Sequence, residues 1–174
     1  MDLQELNRRF DSDKGGKHCY LQKYYQSKFD PIRTSTQKVL EIGVYEGASI
    51  RLWREYFENA EIYALELLSK RRRMFEGEER INLVIGDSVK KSSYINIPLD
   101  FDIIIDDGSH KPEDQFETFK LANLHLRQGG LYIIEDVRDV SKLRSLLDSE
   151  SINYSVYDFS DQAEPDTVIF EISK

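Results

Sequence analysis

Short apolar runs alternate with amphipathic stretches along most of the chain. The apolar runs are the length of strands buried on both faces of a sheet. Five of them cover residues 39–42, 61–66, 81–85, 101–105 and 131–134. Since most of these runs are followed by apolar residues at helical spacing, the pattern predicts an open α/β sheet built from repeated strand-helix steps.

The remaining segments are predicted from the same periodicities. Helices are expected over residues 20–29 and 69–79, after Ser49 as a cap, from Pro112 until Gly129-Gly130, and around 140–147. Residues 153–159 and 167–172 read as two closing strands. Five strand-helix steps and a hairpin predict a mostly parallel, seven-stranded sheet with one antiparallel strand near the edge.

Composition limits the partners and the compartment. The 174 residues suffice for one domain, with residues 1–36 as an N-terminal cap segment and 37–174 as the domain proper. The net charge of −8 argues against general binding to nucleic acid or to acidic membranes. No apolar run approaches the roughly 18–20 residues that span a bilayer, and the N-terminus lacks a signal-peptide core. The single cysteine, Cys19, fits a reducing cytoplasm.

The first strand leads into the loop Glu41-x-Gly43-x-x-x-Gly47. A dinucleotide site needs Gly-x-Gly-x-x-Gly, and Tyr45 stands at the middle glycine, where a side chain obstructs a pyrophosphate. S-adenosylmethionine carries no phosphate, and this loop resembles the first motif of class I methyltransferases. The resemblance implies that the loop passes beneath the methionine and ribose, so Glu41, Gly43 and Gly47 are candidate cofactor-binding residues.

The ends of the next two strands carry further candidates. Glu66 ends the second strand, where an acid can accept hydrogen bonds from ribose hydroxyls. Gly86-Asp87-Ser88 follows the third strand and resembles the adenine-binding turn of the same family. In that turn Gly86 lets the base approach and Asp87 accepts a hydrogen bond from the adenine amino group.

Acidic residues follow the fourth and fifth strands, which should be neighbours about 4.8 Å apart. The residues are Asp106, Asp107, Glu135 and Asp136. Carboxylates that converge repel one another unless a positive charge compensates them. Oxygen ligands suit Mg²⁺, with Mn²⁺ or Ca²⁺ as alternatives, although helix caps and exposed strand ends also favour acids. His110 lies three residues past Asp107, and the unperturbed histidine pKa of about 6.5 suits a general base near neutral pH.

Two longer segments sharpen the resemblance. Asp-Asp-Gly-Ser-His at 106–110 and Gly-Gly-Leu-Tyr-Ile-Ile-Glu-Asp at 129–136 are similar to the metal-dependent sugar O-methyltransferases of macrolide biosynthesis, and Asp-Lys-Gly at 13–15, with His18 and Tyr20, resembles their N-terminal signature. The resemblance implies a Rossmann-like class I fold, Mg²⁺ ligands Asp107, Glu135 and Asp136, and His110 as base. Asp106 then has no metal role and is expected nearer the cofactor or in a cap. The N-terminal segment has two interpretations: its tyrosines belong to an amphipathic helix that covers one edge of the sheet, or the Asp13-Lys14-Gly15 turn and His18 fold over the cofactor as part of the site.

The function implied is transfer of a methyl group from S-adenosylmethionine to a hydroxyl of a sugar or another polyhydroxylated small molecule. The chain has shorter segments around the site than that family. Either a second subunit completes the acceptor pocket, or a large, glycosylated acceptor presents its hydroxyl to an open cleft. Two alternatives remain at this point, an NAD(P)-dependent oxidoreductase and a non-catalytic binding module that keeps the cofactor fold.

Overall fold

The computed structural model describes every residue from Met1 to Lys174 and contains one seven-stranded sheet. Its strands are β1 Lys38–Ile42, β2 Glu61–Glu66, β3 Ile81–Ile85, β4 Phe101–Asp106, β5 Leu126–Ile134, β6 Ser155–Asp158 and β7 Val168–Ser173. Their order across the sheet is β3-β2-β1-β4-β5-β7-β6. β1 to β5 pair in parallel, whereas β7 is antiparallel to both of its neighbours. The predicted mostly parallel sheet is confirmed.

Helices cover both faces of this sheet. They are α1 Leu3–Phe10, α2 Gln26–Phe29, α3 Ala48–Tyr56, α4 Pro112–Ala122 and α5 Val140–Ser149. A π-helical turn, Leu21–Tyr25, runs directly into α2, so the helix expected over 20–29 is present but irregular. A capping box between Asp2 and Glu5 fixes the start of α1. None of the helices combines the length and the apolarity needed to cross a bilayer.

The apolar core lies in two layers, one on each face of the sheet. On one face, residues of the N-terminal segment such as Leu6 and Phe29 pack in a single buried cluster with Val39 of β1 and Trp53 of α3. On the other face, α4 and α5 bury Phe119 and Leu143. The N-terminal segment therefore shares its core with the sheet, and this packing fixes its position relative to the strand ends.

Three local predictions were wrong. The region 69–79 forms only a 3₁₀ turn, Ser69–Arg71, followed by other turns, because its four adjacent basic side chains give no continuous apolar face. Ser49 is not the cap of α3, since Gly47 occupies that position with φ 78°. Gly129-Gly130 does not end α4, which stops at Ala122; both glycines lie within β5, which is longer than predicted.

Candidate functional site

A cavity of about 980 Å³ lies along the carboxyl ends of the parallel strands. Open α/β sheets bind their ligands at this edge. Nine predicted site residues line the cavity: Glu41, Gly43, Glu66, Gly86, Asp87, Ser88, Asp107, His110 and Asp136. Three others, Gly47, Asp106 and Glu135, do not line it. The fold thus brings most of the predicted residues to one volume.

Gly43 joins the first loop to the loop after β4. Its φ of 92° is a conformation that side chains disfavour. A Cβ at this position would lie 2.1 Å from the backbone oxygen of Asp107. The amide of Asp107 in turn donates to Ile42 O at 2.9 Å. Glycine is therefore required here by a backbone-backbone contact that fixes both loops.

The carboxylate of Glu41 is fully buried and anchors helix α3. It accepts hydrogen bonds from Ser49 Oγ at 2.8 Å and from Trp53 Nε1 at 2.6 Å. Burial raises the pKa of Glu41, and the nearby Lys14 opposes that shift. The sequence suggested a capping role for Ser49 and did not indicate its contact with Glu41, because Ser49 and Glu41 meet only when α3 packs onto β1.

Glu66 organises the next strand end. Its carboxylate accepts hydrogen bonds from the amides of Val44 at 3.2 Å and Leu68 at 2.7 Å, and Arg71 donates to it at 2.9 Å. Both oxygens are thus engaged within the protein. The predicted ribose contact would use their remaining lone pairs and stays a prediction.

The Gly86-Asp87-Ser88 turn is also held by internal contacts. A Cβ on Gly86 would lie 2.6 Å from Ser93 Oγ, so packing within the protein already restricts this position to glycine. The amide of Val89 donates to Asp87 Oδ1 at 3.3 Å, and the Asp87 carboxylate lies 3.2 Å from the ammonium group of Lys90. Its side chain keeps 31% of its surface exposed, which leaves it accessible from the cavity.

Asp107, His110 and Asp136 form a compact cluster. One ligand atom from each lies within 4.8 Å of the others. His110 Nε2 is 3.1 Å from Asp107 Oδ1 and 3.9 Å from Asp136 Oδ2. His110 and Asp136 have φ values of 58° and 53°, which are uncommon for residues other than glycine. Strained backbone of this kind is often found at functional sites.

Lys14 is the principal feature that the sequence analysis did not resolve. Its side chain is 2% exposed and enters the acidic cluster from the N-terminal segment. The ammonium group lies 2.6 Å from Asp107 Oδ2 and 3.4 Å from Glu41 Oε1, and it also donates to Glu135. The four predicted carboxylates indicate that a cation must compensate their charge, but the sequence pattern suggested only a metal ion for that role and not a lysine.

Two tyrosines of the N-terminal segment reach the end of β5. Tyr20 donates to Asp136 Oδ1 at 2.7 Å, and Tyr25 donates to Glu135. The carboxylate of Glu135 therefore accepts hydrogen bonds from both Tyr25 and Lys14, and it lies below the residues that line the cavity. The spacing of these tyrosines indicated an amphipathic helix that covers the sheet, and their polar contacts could not be read from that spacing.

The rest of the predicted segment 13–18 divides between two positions. Asp13, Lys17 and His18 line the cavity, whereas Lys14 lies beneath it. His18 Nδ1 lies 3.1 Å from Thr167 Oγ1 and 3.5 Å from Asp136 Oδ1. The segment therefore reaches the cavity at the acidic cluster.

Asp106 is buried away from the cavity. Its Oδ1 accepts a 3.3 Å hydrogen bond from the amide of Gly108, and its Oδ2 has no partner. Burial raises the pKa of this carboxyl to about 8. This geometry favours the local turn over the predicted contact with a cofactor.

The electrostatics differ sharply between the neighbouring acids. Burial tends to raise the pKa of Asp107, but Lys14 and His110 outweigh it and lower the pKa to about 2. Burial raises the pKa of Glu135 and of Asp136, and the charge of Asp107 adds to both shifts. For His110, burial lowers the pKa, but the hydrogen bond and charge of Asp107 outweigh that effect and raise it. The surroundings thus favour the charged form of Asp107 and oppose the charged forms of Glu135 and Asp136.

The donor set fits a hard divalent cation. Asp107 and Asp136 present carboxylate oxygens at the cavity surface, and such cations prefer oxygen ligands. The cavity also has the volume of a cofactor pocket. Its lining by the ends of β1, β2 and β3 matches the sites expected for the methionine, ribose and adenine portions of a nucleoside cofactor.

Comparison with known proteins identifies the family. A family profile described as a methyltransferase domain matches residues 40–137. The chain is 34% identical over 146 residues to demethylmacrocin O-methyltransferase of Streptomyces fradiae and, over the same length, to mycinamicin VI 2''-O-methyltransferase of Micromonospora griseorubida. Each match covers 78% of this chain but only 36% of the relative, so the chain corresponds to little more than a third of these enzymes.

Solved structures agree with the sequence matches. The MycE methyltransferase from the mycinamycin biosynthetic pathway, in complex with Mg and SAH, superposes with a TM-score of 0.79 at 27% identity. The match covers 100% of this chain and 55% of that one. Fibrillarin of Methanococcus jannaschii, at 22% identity and a TM-score of 0.65, shares the fold alone. The chain belongs to the methyltransferase domain family and, within it, is similar to the macrolide sugar O-methyltransferases.

Proposed function

We propose that this protein is an S-adenosylmethionine-dependent O-methyltransferase that acts on a hydroxyl of a sugar or another polyhydroxylated small molecule, with Mg²⁺ as the metal. The observation that carries this proposal is the placement of the Asp107–His110–Asp136 cluster on the wall of the same cavity that the ends of β1, β2 and β3 line. The relatives named above are O-methyltransferases.

The cofactor half of the cavity is assigned to Glu41, Gly43, Glu66, Gly86, Asp87 and Ser88. S-adenosylmethionine supplies the methyl group, and a divalent cation would lower the pKa of the acceptor hydroxyl. Within this chain, Asp107 and Asp136 are the carboxylates best placed to hold the cation, with Glu135 as the third ligand that the resemblance implies. The protein contributes by holding the reactants in line, which is worth at most roughly 7–11 kcal/mol.

His110 is the proposed general base. If its Nε2 donates to Asp107 Oδ1 across 3.1 Å, Nδ1 is the nitrogen free to take the hydroxyl proton. The same contact orients the imidazole ring against the cavity wall.

The acceptor half of the cavity is polar. Around the cluster the lining includes Asp13, Lys17, Ser109, Asp114, Arg138 and Asp166. These side chains suit a hydroxyl-rich acceptor, free or glycosylated. The compartment we propose is the cytoplasm, because a chain with the single cysteine Cys19 fits a reducing environment. A second copy of the chain is one way to enclose such an acceptor.

Two measurements test this proposal. A thermal-shift series with S-adenosylmethionine, NAD and NADP should show stabilisation by the first compound alone, since Tyr45 stands where a pyrophosphate would approach. Incubation with methyl-labelled S-adenosylmethionine, Mg²⁺ and a panel of glycosides should then transfer label to a hydroxyl oxygen. Stabilisation by NAD instead, or cofactor binding without transfer to any member of a broad panel, would favour the oxidoreductase or the binding module.

A further inference from the structure

Lys14 occupies the position from which a cation would neutralise the buried acids. Its ammonium group contacts Asp107 and Glu135, two of the three carboxylates proposed as metal ligands, and lies 3.4 Å from Glu41. Glu41 and Glu135 are 0% and 1% exposed. Buried carboxylates of this kind need a partner of opposite charge.

The placement of Lys14 is built into the fold. Asn7 of α1 exchanges two hydrogen bonds with the backbone of Ser12, at 2.9 and 3.1 Å. On the other side, the amide of Leu21 donates to Lys14 O at 3.1 Å and Gln22 donates to Gly15 O at 2.8 Å.

Gly15 allows this close packing. A Cβ on Gly15 would lie 2.1 Å from the Asn7 side chain. The turn that carries Lys14 is therefore clamped between α1 and the π-helical turn, and its side chain is directed into the cluster.

A divalent cation and this ammonium group compete for the same oxygens. Asp107 Oδ2 and one oxygen of Glu135 already accept hydrogen bonds from Lys14, and Tyr25 donates to the other oxygen of Glu135. A metal that used Glu135 as a ligand would have to replace Lys14 there. Asp136, by contrast, is held by Tyr20 and stays open to the cavity.

We propose that Lys14 is a tethered internal cation that competes with the divalent metal for Asp107 and Glu135 and so sets the metal affinity of the site. It is a positioning residue, because it lies beneath the cavity lining and acts through the carboxylates. The inference rests on the proposed function for the metal, but it concerns this chain's own side chain. It requires that Lys14 withdraw from at least one carboxylate when metal enters.

The test measures metal binding to the purified protein by calorimetry with Mg²⁺ and Mn²⁺. Lys14→Met should bind both ions about tenfold more tightly or better, because a unit charge a few ångströms from the ion is removed. The same variant should gain more thermal stability from Mg²⁺ than the wild type does. Lys14→Arg, which keeps the charge, should stay near the wild-type affinity.

Two control variants separate this effect from a general loss of charge. Lys23→Met removes an exposed lysine from the same N-terminal segment and should leave metal affinity unchanged. The double variant Lys14→Met/Glu135→Gln should lose most of the gain, since Glu135 is the ligand that Lys14 releases. Equal or weaker metal binding by Lys14→Met than by the wild type would overturn the inference.

A measurement on the wild type covers the case in which Lys14→Met does not fold. The buried Lys14 ammonium group should give a protected NMR signal, assigned by its absence in Lys14→Arg, that shifts or vanishes as Mg²⁺ saturates the protein. An unmoved signal at saturation, or no Mg²⁺ binding at all, would overturn the inference. If Lys14→Met transfers methyl groups but binds metal as tightly as the wild type does, this inference alone is refuted. If the metal affinity of Lys14→Met changes as expected but the wild type does not bind S-adenosylmethionine, the proposed function alone is refuted.

Discussion

The hydroxyl of Tyr20 donates a 2.7 Å hydrogen bond to Asp136 Oδ1, and the amide of Asp136 lies 3.4 Å from the same phenol oxygen. Tyr20 is fully buried. This contact fixes a carboxylate at the end of β5 through a residue more than a hundred positions earlier in the chain. The N-terminal segment is therefore part of the candidate site as well as its cover.

Tyr20→Phe should lower the affinity for Mn²⁺ by about tenfold, within the range for the loss of a hydrogen bond to a metal ligand. The ring keeps its packing, so the variant should remain folded. Calorimetric titration with Mn²⁺ provides the measurement. Tyr24→Phe is the matched control, because Tyr24 donates to Glu171 at 2.6 Å, outside the cluster; equal losses in both variants would contradict the assignment.

Asp107→Asn should abolish metal-dependent methyl transfer while the affinity for S-adenosylmethionine changes little. The substitution removes the negative charge of the Asp107 side chain. It leaves the loop backbone in place, because the amide of residue 107 still donates its 2.9 Å hydrogen bond to Ile42 O. Turnover with labelled cofactor and calorimetry with SAH give the two readings. Undiminished turnover in the variant, or in the wild type with excess chelator, would rule out the metal role.

Asp87→Ala should weaken binding of S-adenosylmethionine by about 1–3 kcal/mol, the usual effect of losing a buried hydrogen bond. Lys90→Met removes the 3.2 Å ion-pair partner of Asp87 without removing the acceptor and serves as the control. Its cofactor affinity should stay at the wild-type value. If both variants lose affinity equally, the ion pair and not an adenine contact explains the result.

Gly43→Ala should destabilise the fold by at least about 3 kcal/mol, since it combines backbone strain with a clash. The clash is with Asp107 O, 2.1 Å from the added Cβ. Gly77 has a similar φ of 83° with nothing within 4 Å, so Gly77→Ala reports the strain alone. Urea unfolding of the two variants gives the difference, and similar losses would show that the loops are not in contact.

Asp102 predicts a pH-dependent contribution to stability. It accepts hydrogen bonds from the amides of Gln37 at 2.7 Å and Lys38 at 2.9 Å and from Arg127 at 2.6 Å. Burial tends to raise the pKa of Asp102, but these bonds outweigh it and lower the pKa below its ordinary value. The stabilisation is therefore present above the unfolded pKa of about 4 and is lost as the pH falls through the folded pKa.

Asp102→Asn should accordingly reduce the free energy of unfolding at pH 7 by about 1–3 kcal/mol, the range for hydrogen bonds to a charged group. The deficit relative to the wild type should shrink as the pH falls below 4. Denaturant unfolding at several pH values measures it. Asp100→Asn, at a neighbouring exposed position, should match the wild type throughout, and a pH-independent deficit in Asp102→Asn would contradict the electrostatic explanation.

Patterns in the sequence predicted the strands, their mostly parallel arrangement and most of the loop residues that meet beyond the strand ends. A short apolar run and the polar or glycine residues that end it are neighbours in the chain, so the limits of a strand can be recognised locally. The bounds of β2 and β3 were therefore predicted as observed. The same logic placed Asp107, His110 and Asp136 together, because carboxyl ends of parallel strands meet at one edge. It failed for 69–79, where charge patterning allows no buried helix face.

The partners of the buried charged groups become visible only in the folded protein. Lys14 meets Glu135, and Tyr20 meets Asp136, across more than a hundred residues of chain, and no local periodicity encodes such contacts. Whether a buried carboxylate is held by an ammonium group, a phenol or a metal depends on which side chains packing brings within hydrogen-bond distance. That is a property of the assembled core, because the N-terminal segment reaches these acids only after it packs against the sheet.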